Sequence, residues 1–231
     1  MPKLFEARLD GLEAIRSFPR SIVGFYLRAA SDYAKEAITI NDPDERLRKV
    51  ISAITFSAMA IEAFINEVAE DIVPKKERAS FDKTRKPYRK PSGQSALSFK
   101  YRILVAIIKP GSETPEELFR QLEALASVRN TLVHYKPSDT AGKYILPPRG
   151  RESIDGGGIK IAFRLAEKPL LIKPNFLDNI SPQVAASSFN SVLRSIRHWH
   201  RLNGDGELLT QFAELPSNPP PKGNVHDRPS S

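Results

Sequence analysis

The sequence predicts a mainly α-helical protein, an up-and-down helical bundle with a small antiparallel β insertion near the C-terminal third. Three observations predict it. Apolar residues recur by threes and fours over several long stretches. Asp, Ser, Thr and Pro stand where those stretches begin and end. Between 143 and 173 the pattern shifts to short β-type runs.

The first helix is expected from about Arg20 to Ala37, with Ile22, Phe25, Tyr26, Ala29 and Tyr33 on its inner face. The second carries Leu47, Val50, Ile51, Ile54, Ala58, Ile61, Ile65, Val68 and Ile72 on one stripe. Asp42 suits the N-cap, Pro43 the first turn and Glu45 the third position of a capping box, and Pro74 ends the helix. Phe56, Met59, Ala60 and Phe64 lie on its other faces, as expected of a helix covered on several sides. A third helix spans roughly Ser95 to Ile108, with Leu97, Tyr101, Leu104, Val105 and Ile108 inward. The fourth should start with Thr114 as N-cap and Pro115 at the first position, carry Leu118, Leu122, Leu125 and Leu132, and end near His134 because Pro137 disfavours helix at Lys136.

"KYILPP", "GIKIAFRL" and "PLLIKP" then read as strands of a hairpin or small sheet, separated by "RGRESIDGGG" and "AEK". A last helix follows Ser181-Pro182, with Ala185, Phe189, Val192, Leu193, Ile196 and Trp199 inward, and with Arg194, Arg197, His198 and Arg201 expected on a solvated basic face. The sequence is therefore expected to hold one domain over 1–215, with the insertion at 143–173, and a Pro-rich disordered tail over 216–231.

Composition narrows the function. The chain of 231 residues is 40% hydrophobic, enough for a core. The absence of cysteine excludes disulfides, thiolate metal sites and cysteine nucleophiles, and suits a reducing cytoplasm. No apolar run approaches the roughly 18 residues that span a bilayer, so no membrane association is expected. The N-terminus "MPKLFEARLDGLEAIRSF" carries acids and does not read as a signal peptide. A net charge of +8 favours a polyanionic partner, nucleic acid ahead of an anionic membrane surface. Residues 75–90 concentrate it: Lys75, Lys76, Arg78, Lys83, Arg85, Lys86, Arg89 and Lys90 against Glu77 and Asp82, a net +6. Pro74, Pro87 and Pro91 make this a loop, in which the cations would track phosphates and Phe81 and Tyr88 would stack bases; a solvated linker is the alternative.

The chemistry-bearing stretch is "ASVRNTLVHYKP", 126–137. On a helical wheel Arg129 falls among Leu118, Leu122, Leu125 and Leu132. A guanidinium is not buried unpaired. Either it meets an acid, with Glu62 of the second helix as the candidate, or it lines a cleft where an anion reaches it. His134 lies about 140° around and about 7.5 Å along an ideal helix from Arg129. Arg and His flanking one groove suit a phosphodiester: Arg holds non-bridging oxygens, and His moves a proton near neutral pH. Arg194 and His200 satisfy the same loose spacing, but within the basic last helix. No carboxylate cluster accompanies His198 and His200, so no metal and no cofactor is expected.

"SVRNTLVHYKP" resembles the Arg-Asn-x(3)-His helix end of the HEPN superfamily, and "FSAMAIEAFINEVAED" resembles its earlier apolar helix; the resemblance covers 44–137. It implies an all-α bundle and a metal-independent endoribonuclease acting as a homodimer, in which the motifs of two protomers meet. It also implies toxin–antitoxin or antiviral-defence roles, with an antitoxin or regulatory protein as a partner. Carried over by position, Arg129 would hold the scissile phosphate, Asn130 would position it, and His134 would be the base or acid for 2′-hydroxyl attack. Glu62, Asn66 and Glu67 would support the site. The products would be a 2′,3′-cyclic phosphate and a 5′-hydroxyl. The resemblance equally admits a non-catalytic RNA-binding or protein-interaction module, and the 143–173 stretch departs from the minimal family bundle.

Overall fold

The structure, a computed structural model, describes residues 6–10, 13–17, 21–112, 114–134, 143–145, 148–154, 158–163, 170–173, 176–204 and 209–216. It is mainly helical, with six α-helices among those residues: α1 (Val23–Thr39), α2 (Pro43–Ile72), α3 (Arg78–Asp82), α4 (Ala96–Ile108), α5 (Glu116–Val133) and α6 (Pro182–Asn203). Ahead of them β1 (Glu6–Asp10) pairs antiparallel with β2 (Glu13–Ser17), a hairpin that the amphipathic N-terminal pattern does not announce. Between α5 and α6, β3 (Lys143–Ile145) pairs with β6 (Leu170–Lys173), and β4 (Pro148–Ile154) with β5 (Gly158–Phe163), both antiparallel. β4 falls on residues expected to be a connection.

α2 organises the bundle. Asp42 Oδ1 accepts from the Glu45 N–H at 2.7 Å, the N-cap half of the expected capping box, and Pro43 occupies the first turn. Its stripe of Val50, Ile54, Ala58, Ile61, Ile65 and Val68 is buried; Ala53, Ala60 and Phe64 bury further faces. α1, α4, α5 and α6 all pack on it. By length and composition α2 alone among the described helices would suffice to cross a membrane, at a mean hydropathy of 1.3, yet half of that window is buried inside the bundle.

The other helices follow their punctuation with two differences. Ser95 and Ser181 cap α4 and α6 through the N–H groups of Ser98 and Val184, and Gly204 closes α6 at φ 76. α5 starts one residue late, with Pro115 rather than Thr114 at the cap; the Thr114 hydroxyl is buried and bonds no described residue. On α1 the inner face is Val23, Leu27, Ala30, Ala34 and Ala37, whereas Ile22 and Phe25 are exposed. The inner face differs from the expected one because Tyr26 and Tyr33 form a second apolar stripe against Phe56 of α2, Tyr26 tilted at 6.0 Å and Tyr33 stacked at 5.7 Å between ring centroids.

The polar side of α6 is only in part a solvated basic face: Arg194 and Arg201 are exposed, Arg197 is half-buried and His198 is buried. The helix's buried stripe is as expected, but its cations hold a C-terminal strap, 209–216. Asn190 Nδ2 donates to Leu215 O at 2.7 Å, and the Leu215 N–H donates back to Asn190 Oδ1 at 2.8 Å. Arg197 donates to the Leu209 and Phe212 carbonyls. Arg194 clasps Glu214 through two nitrogens, which holds that carboxyl below its ordinary range. Phe212 and Leu215 are buried. Residues 217–231, on which the expected tail falls, lie outside the described residues, as do Lys136 and Pro137.

His198 is buried too. The Tyr101 hydroxyl donates to Ser195 O at 2.7 Å and lies 3.0 Å from His198 Nδ1. The hydroxyl has one proton, so the second contact needs a proton on His198 Nδ1, which the imidazole donates to the tyrosine oxygen. Burial, assisted by Arg201, pushes the His198 pKa down from its ordinary 6.5. The unfolded chain therefore binds this proton more readily. Its contribution to stability is whole above about pH 6.5 and is lost as pH falls below that value. Urea unfolding from pH 7.5 to 5 should show the wild type losing stability more steeply than His198→Asn, which keeps a donor near Nδ1 and removes the titration.

Candidate functional site

Arg129 lies on the last full turn of α5, against the middle of α2. Leu118, Leu122 and Leu125 behind it are buried and Leu132 is half-buried, so the leucine stripe does face the core. Arg129 sits at its rim. Nη2 reaches Glu62 Oε1 at 3.4 Å, and Nη1 donates to Asn130 Oδ1 at 3.1 Å. The Arg129 and Glu62 side chains retain 34% and 43% of their exposure. The guanidinium has the acid that the ion-pair possibility names, Glu62, but at a partly exposed position rather than inside the bundle. The pair is open to solvent, and its separation is longer than the roughly 2.7–2.9 Å of tight charge-assisted bonds.

His134 is the C-cap of α5. Its N–H donates to Asn130 O at 2.9 Å, and its side chain is exposed. Asn130 thus braces both neighbours, through its side chain on Arg129 and its carbonyl on His134. Two exposed apolar residues flank the pair by helical spacing: Met59, three before Glu62, and Val133, four after Arg129. Asn66, one turn beyond Glu62, is exposed and lines a separate cavity instead of meeting Arg129. Glu67 turns the other way, accepting from the Ile22 N–H at 3.2 Å at the start of α1.

Residues 75–90 are folded rather than a free loop. They contain α3, and the two aromatics face inward. Phe81 is 1% exposed, with its ring edge-on to Tyr88 at 5.6 Å. The Tyr88 hydroxyl donates to Glu77 Oε2 at 2.6 Å, which pushes its pKa up to about 12. Base stacking on these rings, as the sequence led us to expect, is therefore unavailable. The cations divide. Arg78 donates to the Glu70 and Val73 carbonyls, closing the end of α2, and Lys90 donates to the Pro91 and Gln94 carbonyls. Lys75, Lys76, Lys83, Arg85, Lys86 and Arg89 remain exposed.

Glu123 of α5 accepts from the Ser95 N–H and the Ser98 hydroxyl, so a distant carboxylate completes the N-terminus of α4. Sequence spacing gives no signal for it. Among the described residues no three His, Asp or Glu gather into a metal site. Compared with known proteins, the chain matches no family model, no curated protein and no solved structure.

A half-exposed ion pair is worth about 0–1 kcal/mol. Arg129→Ala and Glu62→Gln should each lower unfolding free energy by no more than about 1 kcal/mol, measured by urea denaturation. By contrast, Leu122→Ala beneath them, fully buried, should cost about 2–5 kcal/mol.

Proposed function

We propose that this chain is a HEPN-like, metal-independent endoribonuclease of toxin or defence type, with the 143–173 stretch an insertion into its bundle. The observation that carries the reading is the partly exposed Arg129, held by Glu62 and Asn130 five residues before an exposed His134. Arg129 would take the non-bridging oxygens of the scissile phosphate, exchanging part of its contact with Glu62 for a full anion. Asn130 keeps the guanidinium oriented. His134 removes the 2′-hydroxyl proton; O2′ attacks phosphorus, and the bond to O5′ breaks. The leaving O5′ needs a proton, which a second imidazole supplies when two copies meet about a two-fold axis. The products are a 2′,3′-cyclic phosphate and a 5′-hydroxyl.

A homodimer is supported by the apolar rim of Met59 and Val133 around the pair. The six exposed cations of 75–90 supply sequence-independent attraction to RNA. They also favour the second reading, a non-catalytic RNA-binding or protein-interaction module, since they would grip RNA whether or not Arg129 cleaves it. A cytoplasmic site of action and a cognate antitoxin or regulator belong to the first reading.

Purified protein incubated with RNA in EDTA should cut it and leave 2′,3′-cyclic phosphate and 5′-hydroxyl ends. His134→Ala and Arg129→Ala should lower cleavage by at least about 100-fold while circular dichroism stays unchanged. Uncut RNA that is nevertheless bound would select the second reading. Cutting that requires a divalent ion and leaves 5′-phosphates would overturn the first.

A further inference from the structure

Near the C-terminal end of α2 the surface opens into a cavity of about 460 Å³, lined by Asn66, Glu70, Arg78, Phe81, Asp82 and Lys100. Its lining differs in kind from the six exposed cations of 75–90. Two cations and two carboxylates line it, so its charge is balanced, and a bare phosphate would meet Glu70 and Asp82 as well as Arg78 and Lys100. Balanced donors and acceptors suit a neutral ligand that carries both.

The polar groups are free to bind one. Among the described residues the side chains of Asn66, Glu70 and Asp82 make no hydrogen bond or ion pair. Arg78 is fixed: Nε donates to Val73 O at 3.3 Å and Nη2 to Glu70 O. Its guanidinium plane is therefore held at the end of α2, where a cation is favoured. Such a plane stacks an unpaired base. Lys100 Nζ stands 5.4 Å from the centroid of the buried Phe81 ring, which anchors it at the wall.

We propose that this cavity binds a single-stranded guanine base. Guanine presents two adjacent N–H donors, N1 and N2, which one carboxylate accepts together, and two acceptors, N7 and O6, which one cation answers. Adenine would turn its N1 lone pair toward a carboxylate, and pyrimidines have no N7 edge. The assignment rests on the ribonuclease reading for its meaning in cleavage. Glu62, Asn66 and Glu70 stand on successive turns of α2, so the cavity lies about 12 Å along the helix from the Arg129 pair. A strand seated at Arg129 would carry a neighbouring base past Asn66 to Arg78, and cuts would fall at a fixed offset from guanosine.

The test is fluorescence anisotropy of the full chain bearing His134→Ala, so that RNA stays intact, with oligouridines holding one central guanosine, inosine or adenosine. The guanosine oligomer should bind about tenfold tighter than the adenosine one, with inosine, which lacks the 2-amino group, between them. Glu70→Gln with Asp82→Asn should abolish that preference. Lys100→Gln, on α4, should weaken it without disturbing the Arg78 contacts that close α2. Equal affinity for the guanosine and adenosine oligomers, or a preference that survives both variants, would overturn the assignment. The two readings fail separately: wild type that prefers guanosine but leaves RNA uncut keeps the cavity and loses the nuclease, and cleavage indifferent to guanosine does the reverse.

Discussion

Everything in this fold follows from the need to bury α2. A helix of 30 residues with apolar side chains on most of its circumference cannot lie on a surface. It has to be wrapped, and α1, α4, α5 and α6 wrap it. Wrapping leaves one ridge partly open: Phe56, Met59, Glu62, Asn66 and Glu70. Every polar feature of functional interest on α2 lies along that ridge. Arg129 meets Glu62 there, and the mixed-charge cavity begins at Asn66. Burial of the other faces sets the site geometry, because rotating α2 by one residue would exchange Glu62 for a buried Ile61.

The helices were legible because their signals are local. Asp42, Ser95, Ser181 and Gly204 act within one turn of themselves, and apolar periodicity needs only the helix in question. What escaped were contacts between distant segments. The strap is one: nothing near Asn190 or Arg197 in the sequence indicates that they meet Leu215 and Phe212. Without those partners, a solvated basic face is the natural reading of "RSIRHWHR". Glu123 capping α4 is another. The α1 face was mistaken for a different reason. Two apolar stripes compete there, and only the neighbouring helix decides that the small one, Ala30, Ala34 and Ala37, goes inward to allow close approach while the tyrosines cover a flank.

At the site, the identities of the partners were more legible than their burial. Glu62 stood out as an acid interrupting an apolar run, and it is the acid Arg129 meets. Periodicity put Arg129 on the leucine stripe but could not say that the stripe ends there. Residues 75–90 show the same limit. Their charge is evident from composition, yet only folding shows that Arg78 and Lys90 serve carbonyls while six cations remain outside.

The openness of the Arg129 pair bears on what it can do. A guanidinium sealed against a carboxylate in the core is chemically idle, since removing either partner costs several kcal/mol and no anion can enter. Here Arg129 commits one hydrogen bond to Asn130 and a loose contact to Glu62. Guanidinium carries five N–H donors in a rigid fork, so about three are not used by these two partners. Lysine at 129 would satisfy Glu62 just as well with a point charge, but it would lack the second edge. Arginine at 129 therefore keeps, beyond its contacts with Glu62 and Asn130, donor capacity that a lysine would not have.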